Sequence, residues 1–277
     1  MKSAIEAWRE QILKHDREME ARRGGGHGHG HGRPVYASKP QDPYRTDDPV
    51  VNRLFEFVGE DTEVLDVGGG AGRLALPLAT RSRHVTVVDP SEESVDLLKT
   101  RMAEAGLTNI TVINQGWEDA DVPPADMALC SLVLHHQLEA ESFVTKMQEH
   151  TRDRVVILEM MQTPGSVDRP FQERVYGAAL TPLPGLPKLL DLLWAMEIFP
   201  DVCMFSPVTP VLDTDRGSVL EHMRRRLSVE EGTEADERLR AAMEELLEEI
   251  PEGITVRGVP PHRQAMVTWQ PAGGGGP

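Results

Sequence analysis

The segment Val64-Leu-Asp-Val-Gly-Gly-Gly-Ala-Gly-Arg73 constrains this chain more than any other stretch of it. An apolar run of strand length passes directly into glycines, and the pattern that follows, Leu74-Ala-Leu-Pro-Leu-Ala79, is helical. A strand that turns through glycines into a helix places exposed backbone N–H groups at the carboxyl end of a parallel sheet, where polar or anionic ligand groups bind. Glycine permits the tight turn and lets a ligand touch main chain. Val85-Thr-Val-Val-Asp89 reads as the next strand. Its terminal acid stands 21 positions after Gly68, placed to accept hydrogen bonds from both hydroxyls of a ribose.

The surrounding pattern agrees with such a sheet. Apolar runs at Glu63–Val67, Val85–Val88, Asn109–Ile113, Met127–Leu134 and Val155–Leu158 alternate with helical segments or loops, among them Ser94–Ala105 with Val95, Leu98 and Met102 on one face. Asp48-Pro49 reads as an N-cap followed by proline at the first helical position, ahead of Val50, Val51, Leu54, Phe55 and Val58. Alternation of this kind predicts a doubly wound α/β fold. After Met160 it stops, and five prolines fall within 162–187, which predicts an irregular insertion over 162–200, placed to act as a lid or acceptor region. A helix with Leu189, Leu190, Leu193 and Trp194, a strand near Val202–Phe205, helices at Ser218–Leu227 and Thr233–Ile250, and a strand at Ala265–Trp269 are expected further on.

With Asp66, Gly68, Gly70 and Gly72 in place, the sequence resembles the class I S-adenosylmethionine-dependent methyltransferases, whose first motif is an acid followed by three alternating glycines. The likeness runs from about Asp48 to Met160 and extends to bacterial methyltransferase-like proteins of unassigned acceptor. It implies a Rossmann-like, mostly parallel seven-stranded sheet with helices on both faces, an enzyme that transfers a methyl group, and S-adenosyl-L-methionine as cofactor. It further implies that the glycine loop, with Gly69, approaches the amino-acid part of the cofactor, that Asp89 holds the ribose and that Pro90 flanks the adenine. The adenine edge falls on Gly116, Trp117 and Glu118, and the methionine side on the segment ending Ser131-Leu-Val-Leu-His-His136. Many members carry Gly-Asp where this chain has Gly116-Trp117, which shifts that contact onto backbone or Glu118.

His135 and His136 end the fourth apolar run, where a histidine can accept a proton from an acceptor O–H or N–H, and His135 is the candidate base. A plain alternative is that these histidines only position the loop. Glu159 ends the fifth run in the same way. Phe171, Tyr176 and Trp194 are each expected in packed core, with an apolar acceptor pocket as the alternative. Two other readings of the whole chain compete: a non-catalytic protein that binds the cofactor and a partner, and a nicotinamide dehydrogenase in which Gly70-Ala-Gly-Arg-Leu-Ala75 is a loose dinucleotide fingerprint. Asp66 within the strand end favours the methyltransferase.

Charge narrows the acceptor. Acids outnumber bases 45 to 29, and the net charge of -16 is uneven: residues 1–46 hold nine Lys/Arg against six Asp/Glu. A body this acidic repels phosphate backbones, no Asn-Pro-Pro-aromatic segment is present, and a small-molecule acceptor rather than nucleic acid is expected. The ten acids of Glu230–Glu252 read as a solvated helix face. No stretch is apolar enough for a signal core or a membrane span, and Cys130 and Cys203 read as isolated reduced thiols, so a cytoplasmic setting is expected. Residues 1–46 form an arm in which an amphipathic helix with Ile5, Trp8, Ile12 and Met19 precedes the linker His27-Gly-His-Gly-His31. Without carboxylates, cysteines or a scaffold, that repeat is not expected to hold a metal. Residues 47–270 are expected to form the methyltransferase domain, and 271–277 a disordered tail.

Overall fold

The structure is a computed structural model that describes residues 3–22 and 42–271. The His27–His31 repeat, Tyr36 and the glycine tail beyond Pro271 lie outside them. Among the described residues there are nine strands: β1 (Glu63–Val67), β2 (His84–Val88), β3 (Ile110–Ile113), β4 (Ala125–Ser131), β5 (Thr151–Met160), β6 (Asp201–Met204), β7 (Leu247–Ile250), β8 (Gly253–Val256) and β9 (Gln264–Trp269). Seven of them form one sheet in the order β3-β2-β1-β4-β5-β9-β6, with β1 to β5 paired in parallel and β6 antiparallel to β9. This is a mostly parallel, Rossmann-like sheet with flanking helices: the alternation predicts its doubly wound α/β class, and the resemblance implies its seven strands.

Strand order reverses between β1 and β4, the kind of switch point outside which open α/β sheets bind ligands. Register brings the strand ends level: Val67 pairs with Val88 and with Cys130, Val88 with Ile113, and Ser131 with Leu158. β1 is buried along Val64–Val67, as a central parallel strand covered on both faces must be. Its core joins Val64, Val85, Val87, Leu129, Val156 and Leu158 to Leu74, Leu76 and Leu78 of the segment after the glycines. The helix there is short, Ala75–Ala79, and tolerates Pro77 because the N–H groups of its first turn have no intrahelical partner. Asp48 caps the helix Pro49–Leu54, accepting from Val50 and Val51 N–H, and Ser91 caps Glu92–Ala105, which Gly106 ends at φ +67°.

The chain divides into two compact units. One holds the sheet: 42–159, 190–205 and 265–271. The other is drawn from the N-terminal helix Ala4–Arg22 with Met160–Leu189 and Ser206–Gln264. The second unit is therefore larger than an insertion over 162–200, since it recruits segments distant in sequence. Its core packs Phe171, Val175, Val219, Met223, Leu239, Met243, Ile254 and Val256. The N-terminal helix buries Trp8 and Ile12 and is pinned to one stretch of chain. Glu18 accepts from the Thr181 N–H and hydroxyl, Gln11 donates to the Pro182 carbonyl, and Arg22 donates to the Ala178 carbonyl while lying over the Tyr176 ring.

Two local expectations need correcting. The helix expected over Thr233–Ile250 ends at Leu246, and Leu247–Ile250 pairs with Gly253–Val256 as a hairpin. Pro251 disfavours helix in the residue before it, and Leu247 is buried while Glu248 and Glu249 are exposed. Trp194, expected in packed core, is half exposed, whereas Phe171 is fully buried. No helix among the described residues is long and apolar enough to cross a membrane.

Candidate functional site

The carboxyl ends of β1, β2 and β4 bring most of the sequence-predicted residues to one place in the sheet unit. Gly68, Gly70 and Gly72 take φ values of +74°, +54° and +83°, a region that L side chains enter only at a cost. Two glycines are further required by what lies against them. A Cβ on Gly68 would stand 2.4 Å from Val133 Cγ2, and one on Gly69 would stand 2.7 Å from Asp66 Oδ2. At positions 68 and 69 the loop is thus held main chain against side chain, leaving no room for a substituent.

Asp89 braces this loop. Its Oδ2 accepts from the Gly70 N–H at 2.8 Å, its Oδ1 accepts from the Ser91 N–H at 2.9 Å, and Asn114 Nδ2 donates to its carbonyl oxygen at 2.9 Å. A carboxylate offers about four acceptor positions, so two backbone donors leave capacity for the two hydroxyls of a ribose. Pro90 beside it is exposed.

Asp66 is only 1% exposed, and its Oδ1 has no hydrogen-bond partner among the described residues. Burial pushes its pKa up to about 7, with Arg73 drawing it down and Asp89 adding to the rise. A buried carboxylate oxygen without a donor beneath a glycine loop is open to completion by a cationic or N–H-bearing ligand. Arg73, the last residue of the motif, donates to Ser131 Oγ at 3.0 Å and so ties the glycine segment to the end of β4.

After Ser131 the chain does not continue as strand, although the apolar run extends to Leu134. Leu132 takes φ +58°, a conformation that costs a non-glycine residue roughly 1–3 kcal/mol. Its N–H still bonds the Leu158 carbonyl at 3.0 Å, after which Val133 sits over Gly68 and Leu134–His136 forms a single 3-10 turn. His135 is 4% exposed, with Nδ1 3.1 Å from Oε2 of Glu159, which is completely buried. His136 is exposed, its ring 4.4 Å from that of His135.

The adenine-edge segment is divided. Trp117 turns inward: its ring packs against Phe143 and His150, its Nε1–H donates to the Phe143 carbonyl at 3.2 Å, and the Lys146 ammonium lies over it. Gly116 and Glu118 flank it, with Glu118 exposed. The Trp117 side chain is thus a core element, and a ligand contact at this position falls to the main chain or Glu118. Val133, Arg73 and Asn114 shape the site through contacts that no local sequence pattern signals. No cluster of His, Cys, Asp and Glu that could hold a metal occurs among the described residues.

Residues 64–154 match the family described as "Methyltransferase domain". The chain is 30% identical over 91 residues to the "Probable ribosomal RNA small subunit methyltransferase A" of Methanosphaera stadtmanae, covering 32% of this chain and 34% of that protein. It is 28% identical over 102 residues to the ubiquinone biosynthesis O-methyltransferase of Rickettsia conorii, covering 35% of each. The matches therefore span about a third of the length of these curated relatives. A crystal structure of a SAM-dependent methyltransferase from Geobacter sulfurreducens in complex with S-adenosyl-L-homocysteine superposes with a TM-score of 0.51 at 18% identity, covering 86% of this chain and 95% of that one. At that identity the likeness speaks to the fold.

Proposed function

We propose that this chain, whose residues 64–154 match a methyltransferase domain, binds S-adenosyl-L-methionine at its glycine loop and methylates a small-molecule acceptor. The observation that carries this reading is the joint placement of three features: the unpartnered Oδ1 of Asp66, the glycine cradle over it, and an Asp89 carboxylate with acceptor capacity to spare. The residues present fit the cofactor. Gly68, Gly69, Gly70 and Gly72 would hold its amino-acid part by main chain above Asp66, and Asp89 would accept from its ribose hydroxyls. Pro90, the Gly116 main chain and Glu118 would border the adenine, and Ser131 and Leu132 the methionine side. The bound cofactor supplies an activated methyl group on a sulfonium, so the protein needs few catalytic side chains.

What the chain contributes is alignment and exclusion of water. Where the acceptor loses a proton, His135 is the base: Glu159 engages Nδ1, and Nε2 is the ring nitrogen left to take the proton. The net charge of -16 disfavours a phosphate-rich acceptor and supports a small molecule, and the expectation of no nucleic-acid partner stands as part of this proposal. Incubation of the protein with trideuteromethyl-labelled cofactor, a small-molecule extract and total RNA tests this. Label is expected in the small-molecule fraction. Label confined to RNA would refute the acceptor class, and no label in any fraction would refute the transferase.

A further inference from the structure

The segment after β4 is held in a conformation that its own sequence does not favour. Leu132 occupies left-handed backbone although it carries a branched side chain, and Val133 is pressed over Gly68 closely enough that no Cβ fits between them. A strained residue persists only where its surroundings over-determine it. Here the restraint comes from the end of the neighbouring strand. The Leu158 carbonyl accepts from the Leu132 N–H, and the next residue, Glu159, meets Nδ1 of His135 at 3.1 Å with both side chains buried. Two successive residues of β5 thus grip the two ends of a short stretch, Leu132–His135, within which Val133 walls the glycine loop.

We propose that Glu159 is a positioning residue whose carboxylate, accepting from Nδ1–H of His135, latches 132–136 onto β5 and sets the wall that Val133 presents to Gly68. The inference rests on the reading that the glycine loop receives the cofactor. With the carboxylate oxygen as acceptor, the latch fixes the histidine as the tautomer protonated on Nδ1. With the latch gone, Leu132 relaxes out of left-handed backbone, and ligand binding must then rebuild the wall. That cost is expected as an affinity loss of about tenfold, equivalent to about 1.4 kcal/mol.

The test titrates the full chain with S-adenosyl-L-homocysteine by calorimetry and records nitrogen NMR of the histidine rings. His135→Ala and Glu159→Ala are each expected to weaken binding about tenfold, and the double variant to bind no worse than either single one, since both remove one latch. Glu159→Gln keeps an oxygen that accepts from Nδ1–H and is expected to bind within about threefold of the parent. His135 is expected to carry its proton on Nδ1 in the parent and to lose that fixed tautomer in Glu159→Ala. If Glu159→Ala does not fold, the cycle is closed with Glu159→Gln and His135→Ala, where the single histidine loss must still reach about tenfold. Multiplicative losses in the double variant, unchanged affinity in the single ones, or a proton on Nε2 would each overturn the latch. If the parent binds no S-adenosyl-L-homocysteine, the cofactor reading falls, and the tautomer alone then decides whether Glu159 holds His135.

Discussion

Replacing Asp89 separates the bracing of the glycine loop, which the structure shows, from the ribose contact proposed for the same carboxylate. Its Oδ2 and Oδ1 accept from the Gly70 and Ser91 N–H groups at 2.8 and 2.9 Å, and the proposed ribose contacts use the acceptor positions that remain. In Asp89→Ala both jobs are lost. Losing the charge-assisted ribose hydrogen bonds is expected to cost about 1–3 kcal/mol, or roughly 5–150-fold in Kd. Losing the brace shows itself separately, as faster amide exchange at Gly70 and Ser91, whose protons no longer have an acceptor. Asp89→Asn keeps one acceptor oxygen and replaces the other with a donor, so it is expected to fall between parent and alanine variant on both measurements. The assay is calorimetric titration with S-adenosyl-L-homocysteine beside hydrogen exchange followed by NMR. Faster exchange at Gly70 with unchanged affinity would mean that Asp89 only braces the loop and holds no ribose.

Other substitutions probe single contacts. Gly68→Ala adds a Cβ 2.4 Å from Val133 Cγ2 at a φ of +74°; it is expected to weaken cofactor binding at least tenfold, with partial recovery in Gly68→Ala/Val133→Ala, as read by calorimetry. Recovery to full affinity would show that the backbone strain at 68 costs nothing. Asp66 should make stability fall as pH rises from about 4 to about 7, because burial raises its folded pKa to about 7 and the folded state then binds more protons than the unfolded one. Urea unfolding across that range should therefore show a smaller decline for Asp66→Asn than for the parent, and parallel profiles would contradict the assignment. Trp117→Phe removes the Nε1–H donor to the Phe143 carbonyl and is expected to cost about 1–2 kcal/mol of stability while leaving cofactor affinity within about twofold. A large affinity loss in a folded Trp117→Phe would place the indole in the ligand site after all.

The proposed cofactor half is legible because its signals are local. Asp66 and the glycines sit on one strand and turn, Asp89 ends the next strand, and the apolar runs at 63–67, 85–88 and 265–269 match β1, β2 and β9 to within a residue at each end. The contacts that finish the site are long-range and carry no periodicity. Val133 against Gly68, Arg73 on Ser131 and Asn114 on the Asp89 carbonyl join segments that are 25 to 65 positions apart. His135 and Glu159 were each visible as a polar residue closing an apolar run, and pairing them required knowing that β4 and β5 are neighbours. The second unit was least legible, since it joins an N-terminal helix to 178–182 and turns the end of an acidic helical pattern into a hairpin at Leu247. The inward turn of the Trp117 side chain rests on contacts with Phe143, His150 and Lys146 that local sequence does not signal.

The central claim, that the glycine cradle with Asp66 and Asp89 is an S-adenosylmethionine site, is tested most directly by calorimetric titration of the purified chain. S-adenosyl-L-methionine and S-adenosyl-L-homocysteine are titrated beside NAD and NADP in one buffer. Saturable binding of the first pair, with no heat from the nicotinamide nucleotides, is the expected result. Binding of a nicotinamide nucleotide alone, or of none of the four, would contradict it.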